Sequence, residues 1–305
     1  MRPQNELPTI AEWPRRRATI APSAVAIDDG SRSLTYGEFA SLVDATAEAL
    51  ADRGYRRGDR IATVTRNSAD HLVLFFACAA RGVALAPLSW RLTEPELDAQ
   101  LAIIEPAAVL RDTVLDLPRV SGTSPDDSSG LLIVFTSGTA ARPKAAVLTA
   151  ENCRATNQSL QGALGLTSDD VVLGVLPQFH AAGWNSQPLL AVGVGARLSL
   201  APTFDAGDCL RGIGAGVTAL MGVPSTWQAL SRHPSFESTD LSSLRIAVVG
   251  GAPTPPGLLR VWRDRGVTLR QGYGLTEAGP NVLCQAPGDA AGPSGRPYPG
   301  VEIRT

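Results

Sequence analysis

Little in this chain invites a covalent cross-link or a metal cluster. Its 305 residues hold four cysteines, Cys78, Cys153, Cys209 and Cys284. They lie far apart and form no C-x-x-C pair, which argues against a disulfide framework or a thiolate zinc site and for reduced thiols in a cytosolic protein. His71, His180 and His233 are the whole histidine supply, too few for an imidazole-rich metal centre. Charge is sparse as well: 18% of residues, with Lys+Arg 27 against Asp+Glu 29 and a formal net charge of −2. That balance disfavours a nucleic-acid or membrane-surface binder, either of which needs a basic face. The one basic cluster, Arg15-Arg16-Arg17, reads as a solvated N-terminal turn. The N-terminus lacks an apolar signal core. The longest apolar runs, such as LVLFFACAA over 72–80, fall short of the ~20 residues that span a bilayer. The expectation is a soluble, cytoplasmic protein.

What is present is core-forming material. At 44% hydrophobic, the chain can fill two compact lobes or one large α/β unit. Short β-rich runs alternate with helical patterns: RIATVT (60–65), a buried helix over 70–80, VALAPL (83–88), a helix over 93–104 and AAVL (107–110). Thr93 with Glu96, and Thr35 with Glu38, have the spacing of capping boxes at helix starts. The polar stretch 119–130 predicts a surface loop. Beyond it, LLIVF, VVLGVLP (171–177), VTALMGVP (217–224) and RIAVVGGA (245–252) are continuous apolar runs ended by Gly or Pro. Such runs fit parallel strands buried on both faces, whose ligands sit at the carboxyl ends.

The strand LLIVF leads into FTSGTAARPKAAV, which gathers Thr136, Ser137, Gly138 and Thr139 ahead of Lys144. Hydroxyls and backbone N–H groups can donate to a polyphosphate, a glycine lets the backbone approach, and the lysine adds a compact positive charge. Composition alone leaves a second reading open, a Ser/Thr-rich turn leading to a helix near Thr149. The nucleotide-triphosphatase loop G-x-x-x-x-G-K-[ST] does not occur, nor does the hydrolase elbow G-x-S-x-G, and GIGAGV (212–217) fails G-x-G-x-x-G at its last position.

This stretch resembles the phosphate-loop signature of the adenylate-forming superfamily, Tyr/Phe-Thr-Ser-Gly-Thr-Thr-Gly-x-Pro-Lys-Gly. That superfamily includes acyl-CoA synthetases, nonribosomal adenylation domains and luciferases. Three positions depart: Ala140 replaces a threonine, and Ala141 and Ala145 replace glycines. A left-handed conformation at Ala141 would cost roughly 1–2 kcal/mol. Further stretches are similar in family order: LTYGEF (34–39), residues 58–97, LPQFHAAGW (176–184), GVPSTWQAL (222–230), VVGGAP (248–253), QGYGLTEAGP (271–280) and GRPYPGVEIR (295–304). The similarity spans nearly the whole chain and is nearest to acyl-CoA synthetases.

The resemblance implies an α/β fold: two stacked, mostly parallel sheets flanked by helices, plus the start of a small β-barrel. It assigns residues 1–305 to the N-terminal core, with a first lobe at 55–165, a second at 14–54 with 166–285, and the barrel start at 286–305. The family's mobile C-terminal domain would follow Thr305, and without it turnover should be weak. ATP would be held by Thr136, Ser137, Gly138, Thr139 and Lys144, by Gly250, Gly251 and Ala252 along the adenine edge, and by Gln271, Gly272, Tyr273, Gly274 and Thr276. Glu277 would bind Mg²⁺, a hard cation suited to one carboxylate plus phosphate oxygens.

His180, Lys144, Thr276 and Glu277 are the implied catalytic set, with His180 beside the substrate carboxylate. Amino-acid-activating relatives carry Phe-Asp where this chain has Phe179-His180, so a plain, non-amino acid such as a fatty acid is expected. Trp184, Gly222, Val223 and Pro224 line the acyl tunnel on one reading and are ordinary core on the other. The implied reaction joins the acid to AMP, then passes the acyl group to coenzyme A. A carrier-protein thiol as acceptor and a non-catalytic nucleotide-binding remnant are the alternatives, and the resemblance also allows a homodimer.

Overall fold

The structure is a computed structural model that describes residues 8–120, 130–136, 143–286 and 295–304. Contacts divide the chain into two units, Met1–Ala26 with Leu34–Arg154, and Ile27–Ser33 with Ala155–Thr305.

After a 3₁₀ turn at Ile10–Glu12 come helix α1 (Trp13–Ile20), strands β1 (Val25–Asp28) and β2 (Ser33–Thr35), and helix α2 (Tyr36–Asp52). Arg15–Arg17 are therefore helical rather than a turn, because Pro14 sits in the first turn of α1, where its missing N–H costs nothing. At α2 the Thr35 N–H donates to Glu38 at 2.8 Å and Glu38 N–H returns to Thr35 Oγ1 at 3.2 Å, the expected capping box. Then come β3 (Arg60–Val64), α3 (Ala69–Arg81), β4 (Ala84–Leu88), α4 (Glu94–Ile104), β5 (Ala108–Arg111), β6 (Gly130–Thr136), β7 (Lys144–Thr149) and α5 (Ala150–Leu164). The order β5-β3-β4-β6-β7 makes one sheet, parallel except for the β6–β7 pair. Its core is built from small and branched residues, Ala62, Ala84, Ala86, Leu88 and Ile133, under Leu97 and Ile104 of α4.

The second unit continues with β8 (Val171–Gly174), α6 (Ala182–Asn185), α7 (Pro188–Val194), β9 (Arg197–Leu200), α8 (Ala206–Gly214), β10 (Ala219–Gly222), α9 (Pro224–Arg232), β11 (Ile246–Val249), α10 (Pro256–Asp264), β12 (Arg270–Tyr273), β13 (Leu283–Cys284) and β14 (Arg296–Pro297). Its sheet runs β14-β13-β12-β11-β10-β8-β9-β1-β2. The stretch from β12 through β1 is parallel; β13 and β14 pair antiparallel. The strands are shorter than the apolar runs that announced them, because Gly and Pro turn each run out of the sheet.

Beneath β10 and β11 lie Trp227 and Trp262, both fully buried. Their rings meet edge-on at 4.8 Å, an arrangement worth about 0.5–1.5 kcal/mol beyond area burial. Each indole N–H is satisfied, Trp227 by Val248 O and Trp262 by Trp227 O. The four cysteines are buried and free, and burial pushes the Cys209 thiol up to about 12. Among the described residues no helix is long and apolar enough to cross a membrane.

Candidate functional site

In the second sheet the chain passes from β8 to β9 on one side and to β10 on the other, so strand order reverses between β8 and β10. In open parallel sheets a ligand crevice lies outside the carboxyl ends at such a switch point. Four exits from this edge carry the sequence-identified residues.

After β8 the chain folds back on itself, with His180 N–H donating to Pro177 O at 3.0 Å and Gly183 N–H to His180 O at 2.9 Å. Gly183 is required there: a Cβ would stand 2.0 Å from Pro177 O. His180 is exposed, its ring 4.6 Å from Phe179. Trp184 is fully buried and its indole N–H donates to Gln178 O. After β10, Gly222 is buried while Val223 and Pro224 are half-buried at the start of α9. After β11, Gly250 N–H donates to Gly222 O at 3.1 Å, which holds these two exits side by side. Gly251 and Ala252 are exposed.

Gln271 and Gly272 lie in β12 and are half-buried; Tyr273 ends the strand with 52% of its surface exposed, a flat ring at the sheet edge. The turn behind it closes so tightly that a Cβ at Gly274 would lie 1.3 Å from Pro280 O. That closure presents Thr276 and Glu277 on a short 3₁₀ turn, Thr276 half-buried and Glu277 exposed. Ser186 Oγ and the Asn281 side chain exchange hydrogen bonds of 3.2–3.3 Å, tying this turn to the segment that follows His180.

Thr136 and Lys144 belong to the first unit. They face each other as register partners at the end of the β6–β7 pair where the connecting segment leaves and returns, with Thr136 Oγ1 donating to Lys144 O at 3.4 Å. Lys144 is exposed and is the only lysine in the chain. Ser137, Gly138 and Thr139, with Ala140 and Ala141, lie outside the described residues. Ala145 pairs with Phe135 as an ordinary strand residue and packs against the first core, so alanine fits there without strain.

The described residues contain no group of three or more His, Cys, Asp or Glu able to hold a metal by themselves. Glu277 makes no ion pair among them. One exposed carboxylate fits a magnesium ion whose other ligands are phosphate oxygens and water, as that ion prefers.

The fold is that of an α/β protein with an open, mostly parallel sheet whose carboxyl edge carries a histidine loop, glycine exits, an exposed tyrosine and a Thr-Glu turn. The sequence pattern of the AMP-binding enzyme family matches residues 12–124 and 115–305, and the chain belongs to that family. It is 35% identical to a feruloyl-CoA synthase of an Amycolatopsis species over 95% of this chain and 67% of that protein. It is 33% identical to an indoleacetate–CoA ligase of Aromatoleum aromaticum over 97% of this chain and 66% of that protein. The chain thus spans about two-thirds of the length of these relatives. Among solved structures, the inhibitor-bound N-terminal domain of FACL13 from Mycobacterium tuberculosis superposes with a TM-score of 0.86 at 25% identity, covering 96% of this chain and 83% of that one.

One residue that motif reading passed over sits in the middle of this edge. Gln187 is fully buried, and the signal for it was the polar triplet Asn185-Ser186-Gln187 set inside an apolar stretch.

Proposed function

We propose that this chain activates a carboxylic acid with ATP and passes the acyl group to coenzyme A. The observation that carries the reading is the gathering of His180, Gly222–Pro224, Gly250–Ala252 and Gln271–Glu277 at the carboxyl edge of one parallel sheet. The acid favoured is aromatic or aryl-alkyl rather than fatty, since the two curated relatives are named for ferulate and indoleacetate. An α-amino acid is disfavoured, because position 180 offers no carboxylate to an ammonium group.

In the first step a carboxylate oxygen attacks the α-phosphorus of ATP. The bond to the pyrophosphate leaving group breaks, giving acyl-AMP. In the second the thiol sulfur attacks the acyl carbonyl, AMP leaves with the bonding pair, and the thiol proton passes to solvent. Tyr273 stacks on the adenine, whose edge meets the backbone of Gly250–Ala252 beside Gln271, Gly272 and Gly274. Thr276 donates to the α-phosphate. Thr136 and Lys144, with Ser137, Gly138 and Thr139, hold the outer phosphates. His180 orients the reacting carboxylate, and Trp184, Gly222, Val223 and Pro224 border the acyl group. Glu277 holds magnesium, which when bound neutralises phosphate charge. Positioning and charge compensation of this kind account for much of such catalysis. Buried reduced cysteines support a cytoplasmic location.

The test is acid-dependent ATP–pyrophosphate exchange across a panel of aromatic and aliphatic acids. An aromatic acid should support exchange, and Glu277→Gln should lower it about 10²–10³-fold. Exchange by no acid, or an unchanged rate in Glu277→Gln, would sink the reading.

A further inference from the structure

The two strands that border the switch point part early. Register pairing between β8 and β10 ends at Leu173 with Leu220, whereas β8 stays with β9 to Gly174–Leu200 and β10 stays with β11 to Gly222–Val249. A gap therefore opens between β8 and β10 at the level where the His180 loop and the Gly222–Pro224 turn leave the sheet. The Gln187 side chain bridges it. Its Oε1 accepts the N–H groups of Val175 and Leu176, both at 3.1 Å, and its Nε2 donates to Met221 O at 2.7 Å. Two donors just past the end of β8 and one acceptor in β10 need accepting and donating atoms at separate points, which an amide supplies as distinct oxygen and nitrogen ends. Gln187 reaches them from the connection between α6 and α7, held there by Pro188 in the first turn of α7 and by Ala191 N–H donating to Gln187 O at 2.9 Å.

We propose that Gln187 is a positioning residue: its amide splints the β8 and β10 exits at a fixed separation and thereby sets the width of the crevice that takes the hydrocarbon part of the acid. This rests on the acid-activating reading of the same edge. Gln187 touches no reacting atom; it acts through the spacing of His180 against Gly222–Pro224. A side chain that fills its volume without its hydrogen bonds lets the exits relax, and the change falls on the choice between acyl groups rather than on the nucleotide.

The experiment compares the parent chain, Gln187→Met and Gln187→Glu. Binding of AMP and of acyl-sulfamoyl-adenosine mimics carrying acetyl, benzoyl, cinnamoyl or naphthoyl groups is measured by calorimetry, and amide exchange at Val175 and Leu176 by mass spectrometry or NMR. Gln187→Met should shift the cinnamoyl-to-naphthoyl affinity ratio about tenfold while AMP affinity stays within about twofold, with faster exchange at both amides. Gln187→Glu keeps the acceptor and loses the donor to Met221 O, so the ratio should move while the two amides stay protected; it decides the matter if Gln187→Met does not fold. An unmoved ratio with acyl mimics weakened equally, or a moved AMP affinity, overturns the splint. Should the parent bind none of the mimics, the functional reading fails instead. Amide exchange in Gln187→Met then decides whether the splint exists.

Discussion

The two edges of the second unit's sheet are built on opposite plans. At the amino edge, Asp170 ahead of β8 is buried, and its carboxylate accepts from Arg245 ahead of β11, from Thr218 Oγ1 ahead of β10 at 2.6 Å, and from Thr167 N–H at 2.8 Å. Its backbone carbonyl also takes the N–H of Arg197 at the start of β9. Charge-assisted bonds there lock the starts of β8, β10 and β11 together, and a backbone bond adds β9. At the carboxyl edge the strands diverge, glycines replace side chains, an uncharged amide spans the gap, and Tyr273 and Glu277 stand in solvent. The sheet is tied shut where nothing needs to enter and held open where a ligand would. Stability and chemistry are thus separable by position along the same strands.

The contrast can be broken from either side. The largest effect should come from Gly274→Ala, since a Cβ 1.3 Å from Pro280 O forces the Thr276–Glu277 turn to rearrange. Acid-dependent pyrophosphate exchange should fall by about a hundredfold or more, while Trp227 and Trp262 fluorescence reports an intact core. Retained exchange would mean the turn's geometry is not used. Asp170→Asn should do the reverse, leaving nucleotide affinity unchanged and costing about 2–3 kcal/mol in chemical denaturation, below a fully buried pair because Arg245 is half exposed.

Acid sensitivity should separate the two edges as well. Burial pushes the Asp170 carboxyl up, but Arg245, Thr218 and the Thr167 N–H outweigh it and hold the group below its ordinary value. A carboxyl depressed in the folded state contributes stability above its unfolded value of about 3.9, and that contribution is lost as pH falls through the folded value. The parent should therefore lose stability on acidification below about pH 4, and Asp170→Asn should lose less over the same range. A parallel decline in both proteins would show that other carboxylates dominate. The smallest effect belongs to Ala145→Gly, which restores the residue common in the resembling family. In a strand position it should cost roughly 0.5–1 kcal/mol without changing ATP affinity.

How much of this was legible follows the range of the forces involved. The capping boxes at Thr35 and Thr93 are local, and each lies at the start of a helix. The apolar runs marked β8, β10 and β11 because strands buried on both faces need them. The Gly-rich and Thr-Glu motifs marked the exits. The Asp170–Arg245 pair was not readable, because 75 residues separate its members and only the sheet brings them together. Gln187 had no motif at all; its role depends on where two strands stop pairing. A basic cluster at Arg15–Arg17 suggests a solvated turn, but the helix-initiating Pro14 beside it carries more weight. The transfer of Ile27–Ser33 into the second unit likewise depends on β1 pairing with β9, a partner far along the chain.

The lone lysine has a practical corollary. Apart from an α-amino group, Lys144 is the single primary amine in a sequence whose 27 strongly basic residues are otherwise all arginine. Any reagent or modifying enzyme that seeks primary amines thus has one side-chain address, at the first residue of β7. If ATP binds as proposed, a fluorophore placed there would respond to nucleotide, and acetylation there would leave Arg142 as the only basic side chain in the 136–149 stretch.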